Sequence, residues 1–142
     1  MADNKAIVER FERAFAANDT ATIDELCDPA LVDHNPLPGS QPTLDGFKAT
    51  IAGYTGAFPD LRLEQVHVIA EGDTVASRWT AAGTQEGDMP GIRATGRQIR
   101  VEGMNFYTLK DGRITDVWTQ YDAMAMMQQL GVMPVPEATA SP

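Results

Sequence analysis

The chain has 142 residues, of which 43% are hydrophobic and 22% charged, a composition typical of one globular domain. Its formal net charge of −9, with only 11 basic residues, argues against nucleic acid or an anionic membrane as a partner, because both need a cationic surface. No uncharged apolar run approaches the roughly 20 residues of a membrane span, and the N-terminus lacks an apolar signal-peptide core, so we expect a cytoplasmic protein. The single cysteine, Cys27, lies in a helix-like stretch, which favours a small buried hydrophobe over a nucleophile.

The first part of the chain predicts three helices. Apolar residues recur at helical spacing over residues 4–18. Thr22 and Glu25 stand three positions apart in a capping-box pattern, which predicts a short second helix. Thr43 is the predicted N-cap of a third helix, which Pro59 ends.

The pattern then changes to the alternation that strands require. Two β-hairpins are predicted over residues 61–82 and 97–121, the second one around an Asp111-Gly112 turn. A final helix is predicted over residues 123–130, with Gly131 as the residue that closes it.

The order of these elements predicts the fold class. Helices first and antiparallel strands afterwards is typical of an α+β domain, with helices packed on one face of a curved sheet. We expect a single domain over residues 1–133, since the sequence has no internal repeat. Residues 134–142 are rich in Pro, Ala and Thr and are expected to form a flexible C-terminal tail.

The last predicted strand carries the main candidate for chemistry. Because side chains alternate between the two faces of a strand, Ile114, Asp116, Trp118, Gln120 and Asp122 are expected to share one face. A carboxylate held there against aromatic and apolar walls loses hydration, which raises its pKa and suits it to proton transfer near neutral pH. Asp is also a preferred N-cap, so Asp122 could instead cap the following helix, and the two roles are compatible.

Other kinds of catalytic site have little support in this sequence. The two histidines, His34 and His67, are far apart and lack the spacing of a metal site. The glycines of residues 83–96 do not match a phosphate-binding loop, and no serine lies in a nucleophile elbow. Proton chemistry or simple ligand binding in a pocket remains.

Four further residues are candidates for the pocket. His34 lies in a polar loop that could point into a cavity or make Asx-type turns. Trp79 and Trp118 lie on predicted strands and could belong to the core or form the walls of a pocket for a flat, apolar ligand. Asn105 lies in the strand that pairs with that of Trp118. The turn allows two registers, so the sequence leaves open whether Asn105 or its two neighbours share the Trp118 face.

Several stretches, taken together, resemble the SnoaL-like polyketide cyclases, a family of the nuclear transport factor 2-like (ketosteroid-isomerase-like) fold. They occur in the family's order and cover roughly residues 5–131. The fold that the resemblance implies is a conical α+β domain, in which a strongly bent antiparallel sheet wraps around the helices and encloses a pocket. The matching stretches are Val32 to Pro36, Phe58 to Leu61, Gly72 to Trp79, Gly83-Thr84-Gln85 with Gly91, Thr95-Gly96-Arg97, Asp111 to Asp122, and Gln129-Leu130-Gly131.

The resemblance also implies a reaction, an intramolecular aldol condensation that closes the last ring of an aromatic polyketide ester. An aspartate acts as acid and base in that family, without a metal or organic cofactor, and the matching position here is Asp122. A carbon acid next to a carbonyl group needs a base and a donor for the enolate oxygen. His34, Asn105 and Gln120 are the candidates for that donor, and the expected ligand is a small apolar or aromatic molecule.

Two alternatives of other classes remain open at this point. One is a different enzyme on the same fold, such as a double-bond isomerase or an epoxide hydrolase. A hydrolase of that kind would need several carboxylates and an arginine around one water molecule, with Asp116 as a second carboxylate. The other alternative is a non-catalytic binding module in which Asp122 is only a helix cap.

The resemblance implies, finally, a homodimer or a higher homo-oligomer. A bent sheet whose outer face carries Val66, Val68, Val75 or Trp79 would need cover from water.

Overall fold

The computed structural model describes residues 3–134. In the part of the chain that the structure describes, four helices accompany one five-stranded sheet with the strand order β1-β5-β4-β3-β2. All neighbouring strands are antiparallel except β1 and β5, which are parallel. The elements are α1 (Asn4–Ala17), α2 (Thr20–Leu26), β1 (Cys27–Asp33), α3 (Leu44–Ala57), β2 (Arg62–Glu71), β3 (Thr74–Thr84), β4 (Gln98–Lys110), β5 (Arg113–Tyr121) and α4 (Ala123–Leu130).

The predicted α+β class is confirmed: N-terminal helices pack against one face of a curled sheet, and a short helix ends the described chain. Aromatic side chains form the centre of this packing. Phe11 of α1 stacks on Phe47 of α3 with ring centroids 5.9 Å apart, and it meets the edge of Tyr107 of β4 at 5.8 Å. All three are buried, so the inner face of the sheet is sealed by α1 and α3 at one end.

The strand β1 was not predicted. Cys27, predicted to lie in a helix-like stretch, begins a strand that pairs in parallel with β5. The sheet is therefore mixed, because this long-range pairing decides the conformation of a segment whose local pattern was ambiguous. Cys27 is fully buried, as expected, and burial raises the pKa of its thiol to about 12.

Of the caps predicted for the starts of α2 and α3 and for the end of α4, two are confirmed. Thr43 caps α3, since its hydroxyl accepts a hydrogen bond from the Gly46 N–H at 3.2 Å. The predicted Thr22 cap of α2 is wrong. Asp19, three residues earlier, caps this helix and accepts bonds from both the backbone N–H and the hydroxyl of Thr22. Gly131 closes α4 in the left-handed conformation, as predicted.

The second hairpin resolves the register that the sequence left open. Asp111 and Gly112 both have positive φ, as a two-residue hairpin turn of type I′ requires. Asn105 lies opposite Thr119 and Phe106 lies opposite Trp118. Asn105 therefore faces the helices, and its two neighbours share the outer face with Trp118.

A bulge in this hairpin breaks the alternation assumed for β5. Leu109 pairs with Ile114, and Thr108 pairs with Asp116, so Thr115 is an extra residue on β5. Ile114 is consequently buried in the core, although Asp116 faces outward. The prediction that both share one face is wrong for this reason.

The outer face of the sheet differs from the one expected. Of the four residues predicted there, only Val66 is exposed. Val75 and Val68 pack into the core, and Trp79 packs against a second buried cluster. None of the helices between residues 3 and 134 is both long and apolar enough to cross a bilayer. The predicted tail lies outside the described residues, apart from Pro134.

Candidate functional site

A cavity of about 120 Å³ lies between the inner face of the sheet and the helices α3 and α4. It is well above the minimum volume that a single water molecule requires. Most of its wall is apolar, contributed for example by Phe58, Leu63, Val101 and Met126. A few polar side chains interrupt this wall, which is the usual composition of a small-molecule site.

Asp33 brings a carboxyl group to the cavity. It is the last residue of β1, it is only 5% exposed, and it lines the cavity. Its carboxylate Oδ1 accepts a hydrogen bond of 3.0 Å from the Asn35 N–H. Burial raises the pKa of the Asp33 carboxyl, and the Asn35 N–H and the neighbouring His34 oppose this rise in part. Asp33 thus has the desolvated environment that was predicted for Asp122.

The backbone around Asp33 is fastened to the last strand. The His34 N–H donates to the Val117 carbonyl at 2.9 Å, which continues the parallel ladder between β1 and β5. One residue later, the side-chain oxygen of Asn35 accepts from the Thr119 N–H at 2.8 Å. These bonds fix the position of the Asp33 carboxyl relative to the sheet.

His34 points the other way, to the outer face. Its imidazole stacks on the indole of Trp118 with ring centroids 4.2 Å apart, and Nε2 lies 2.9 Å from the Asp116 carboxylate. Asp116 also accepts hydrogen bonds from the hydroxyls of Thr108 and Thr115. The bond to His34, followed by the bond to Thr108, lowers the pKa of the Asp116 carboxyl. This cluster supports the loop that carries Asp33 from outside the cavity.

A buried chain of hydrogen bonds runs from the cavity wall to α1. The Trp79 indole N–H donates to Asn105 Oδ1 at 3.2 Å, and Asn105 Nδ2 donates to the Tyr107 hydroxyl at 2.8 Å. Tyr107 donates in turn to Glu12 Oε2 at 2.7 Å. Glu12 is a helix residue with only 4% exposure, and the sequence analysis assigned it no role.

Two tyrosines form a further polar group in the cavity wall. The hydroxyls of Tyr54 in α3 and Tyr121 in β5 lie 2.8 Å apart, and either one can be the donor. Burial, followed by the bond to Tyr121, raises the pKa of Tyr54 far above its usual range, so its phenol keeps its proton. Only one of the two hydroxyl hydrogens is used in their mutual bond. The second is available to a ligand.

The structure brings together some of the predicted site residues and separates the others. Two line the cavity, Trp79 and Asn105. Four lie outside it, His34, Trp118, Gln120 and Asp122. Trp118, a candidate for the core or for a pocket wall, is 36% exposed and belongs to neither. The opposite face of β5 lines the cavity, through Thr119 and Tyr121. The prediction chose the wrong face because alternation identifies two faces of a strand without showing which one is enclosed.

Asp122 lies at the N-terminus of α4, where it acts as the helix cap. It is exposed at the outer edge of the sheet and caps α4, with its carboxylate accepting from the Ala125 N–H at 3.0 Å. It borders a shallow groove beside Arg78 and Glu102. The capping prediction is confirmed, and the catalytic assignment stays a prediction.

The sequence contains signals for Glu12 and Asp33, which were not predicted as site residues. Glu12 stands four residues after Val8 and next to Phe11, so it lies on the apolar face of α1, where a charged residue is unusual. Asp33 belongs to the polar loop already singled out for His34. Among residues 3–134, no three His, Cys, Asp or Glu side chains are grouped as a metal site would require.

Comparisons with known proteins agree with this architecture. The protein-family model of the SnoaL-like polyketide cyclases matches residues 5–130. The aklanonic acid methyl ester cyclase DnrD of Streptomyces peucetius is 27% identical over 139 residues, which cover 92% of this chain and 93% of DnrD. Among solved structures, IdmH of Streptomyces antibioticus, a proposed polyketide cyclase, is 29% identical with a TM-score of 0.80, covering 92% of this chain and 99% of IdmH. AclR of Streptomyces galilaeus, a proposed hydroxylase, is 27% identical with a TM-score of 0.82, covering 96% of this chain and 87% of AclR. The chain belongs to the SnoaL-like polyketide cyclase family.

Proposed function

We propose that this protein is a small-molecule enzyme of the cyclase type, which performs acid–base catalysis in the apolar cavity. The observation that carries the proposal is the position of Asp33. Of the acidic side chains between residues 3 and 134, Asp33 alone lines the cavity, and it is almost fully buried there. Its desolvated carboxyl group is a stronger base than an exposed one, because burial raises its pKa.

The proposed chemistry is an intramolecular aldol condensation or a related proton transfer. The Asp33 carboxylate removes a proton from a carbon next to a carbonyl group. The electron pair of that C–H bond forms a C=C bond, and the π pair of the carbonyl group moves onto its oxygen to give an enolate. The enolate carbon then attacks a second carbonyl of the same molecule, and the resulting alkoxide takes back the proton that Asp33 removed, which regenerates the carboxylate. The ring closure ends at this addition, without loss of water, so the product is an isomer of the substrate.

The enolate oxygen needs a hydrogen-bond donor in this scheme. Asn105 is the donor that we propose, since it lines the cavity and its amide nitrogen is held by Tyr107. The hydroxyl pair of Tyr54 and Tyr121 offers a second donor on another wall. Trp79, also in the wall, is proposed to contact a flat ring of the substrate.

The proposed substrate class is an aromatic polyketide ester. Its support is the name of the relative DnrD, a cyclase of aklanonic acid methyl ester, together with the apolar wall of the cavity. A catalytic role of Asp122, which the sequence resemblance implied, is the competing assignment.

Two matched variants separate the two aspartates. In Asp33→Asn and Asp122→Asn, each carboxylate becomes an amide of the same size. The assay follows deuterium uptake from D2O into the carbon next to the ketone of aklanonic acid methyl ester by mass spectrometry, and ring closure by chromatography. We expect Asp33→Asn to lower both rates by roughly 100-fold or more, and Asp122→Asn to keep them within a few fold.

Each other outcome has a distinct meaning. A large loss in Asp122→Asn alone would transfer the acid–base role to Asp122. If the folded wild-type protein binds such esters but catalyses neither deuterium exchange nor ring closure, the proposal of an enzyme is wrong and a non-catalytic binding module is favoured.

We also propose that the chain forms a homodimer or a higher homo-oligomer through the outer face of its sheet. Ile69, Ala76, Phe106 and Trp118 lie in one row across four strands, since each is the registered partner of the next. Ile69 is 65% exposed and Phe106 is 53% exposed. Large apolar side chains that are exposed to water, such as Ile69 and Phe106, are a common feature of association surfaces.

A further inference from the structure

We propose that Tyr107 and Glu12 are positioning residues that hold the Asn105 amide with its free N–H toward the cavity. The cavity then selects ligands that place a carbonyl or enolate oxygen against Asn105. This inference rests on the proposed function and deepens it, because it names which part of the ligand is recognised and which residues outside the cavity secure that recognition.

The groups at the two ends, Trp79 and Glu12, decide which atom is the donor in each hydrogen bond between them. Glu12, as a carboxylate, can only accept, so the hydroxyl hydrogen of Tyr107 is committed to it. The Tyr107 oxygen is then an acceptor for Asn105, which must present its NH2 group. At the other end the Trp79 indole can only donate, so it requires the Asn105 oxygen. Both ends select the same one of the two amide orientations.

This orientation leaves a donor for the cavity. The Asn105 NH2 group has two hydrogens, and Tyr107 takes one of them. No other residue between 3 and 134 accepts the second, and Asn105 lines the cavity. A ligand oxygen is therefore the natural partner of the second hydrogen. A flipped amide would instead turn its NH2 group toward the Trp79 N–H, a repulsive pair of donors.

The burial of Glu12 supports a role beyond packing. No lysine or arginine between residues 3 and 134 forms an ion pair with it, and three uncharged groups donate to it. Burying a carboxylate among apolar residues is costly, even when it is hydrogen-bonded. Burial and the Glu12 charge together raise the pKa of Tyr107 well above its usual range, so its hydroxyl stays a donor.

The alternative is that Glu12 merely ties α1 to the sheet. Two of its three hydrogen bonds do only that, since Gln65 Nε2 and Ser77 Oγ donate to Oε1 at 2.7 Å. Ser77 lies opposite Asn105 in the β3–β4 ladder, but the Asn105 side chain bonds to Trp79 and Tyr107 and not to Ser77. Ser77 therefore provides a matched control. Ser77→Ala removes one buried bond to Glu12 outside the path to Asn105, and Tyr107→Phe removes the bond within that path.

The test compares two probes of nearly equal shape. 2-Acetylnaphthalene carries a carbonyl oxygen where 2-isopropenylnaphthalene carries a CH2 group. Dissociation constants of both are measured by titration calorimetry with the wild-type chain, Tyr107→Phe and Ser77→Ala. The readout is the ratio of the two constants, in which a general loosening of the cavity cancels. We expect Tyr107→Phe to reduce the preference for the ketone by on the order of fivefold, the scale of one hydrogen bond between neutral groups, and Ser77→Ala to leave it unchanged.

A ratio that stays constant in Tyr107→Phe, with both probes still bound, overturns the positioning role and leaves the proposed function intact. An equal loss of the preference for the ketone in Ser77→Ala also overturns the positioning role, because the effect is then not specific to the path through Tyr107. If neither probe binds the wild-type chain, the proposed apolar site fails and the inference fails with it.

Discussion

Gly103 offers a sharp test of how the cavity wall is built. It lies on the inner face of β4, opposite Trp79 of β3. A Cβ at this position would lie 2.3, 2.4 and 2.9 Å from three ring atoms of the Trp79 indole, whereas ordinary contacts begin at 3.4 Å. In Gly103→Ala the indole must therefore move by about 1 Å.

The cost of this movement follows from two effects. Overpacking of a filled interior costs about 1–3 kcal/mol, and loss of the Trp79–Asn105 hydrogen bond adds about 1 kcal/mol. Replacing glycine in a strand by alanine also stabilises the folded state by up to about 1 kcal/mol, because the unfolded chain then has less backbone conformational entropy. We expect Gly103→Ala to lower the free energy of unfolding by about 1–3 kcal/mol.

Urea unfolding followed by far-ultraviolet circular dichroism measures this change. Gly53 supplies the control, because a Cβ added at this helical position meets nothing within 4 Å. Gly53→Ala should be neutral or stabilising by up to about 1 kcal/mol. Repeating Gly103→Ala in a Trp79→Phe background, which removes most of the ring atoms in conflict, should recover at least about 1 kcal/mol of the loss. An equal loss in both backgrounds would show that the indole is not the obstacle and would refute the reasoning.

Three further predictions concern other parts of the chain. Since burial raises the folded-state pKa of Asp33 above its ordinary 3.8, the folded state binds the extra proton. The free energy of unfolding of Asp33→Asn minus that of the wild type should therefore increase as the pH rises above about 4. A decrease in this difference with rising pH would contradict the prediction. Asp122→Ala should lower the free energy of unfolding by about 0.5–2 kcal/mol and Asp122→Asn by much less, because Asn also caps helices. Equal losses in thermal unfolding would count against the cap. Sedimentation at micromolar concentration should give at least twice the chain mass of 15.4 kDa, and Phe106→Glu should reduce the mass to that of one chain. A wild-type monomer would exclude the outer face as an interface.

The sequence predicted the parts of the fold that local patterns control. Helical spacing located α1, the Thr43 cap located the start of α3, and the Asp111-Gly112 turn located the second hairpin. The strand β1 was missed because its conformation depends on pairing with β5, more than 80 residues later in the chain. Local patterns contain no information on such a partner.

The candidate site was harder to predict than the fold. Trp79 and Asn105 were identified as pocket candidates, and both line the cavity. The choice of Asp122 rested on the face of a strand, and either face of a strand in a curled sheet can be the enclosed one. Asp33 was passed over because its burial depends on the position of β1, and Glu12 because its partners come from three other elements.

The parallel pairing of the first and last strands has a consequence for how the protein is made. Asp33 leaves the ribosome early, but the strand that holds it, β5, is synthesised only after nearly all of the described chain. Nascent chains that end at the β4–β5 turn contain all the walls of the cavity except those from β5 and α4. They also lack β5 as the strand that orients Asp33. Contacts so distant in sequence form slowly, because a long loop must close before they give any stabilisation. The cavity should thus be completed in the last step of folding, after the β2–β3–β4 sheet has formed.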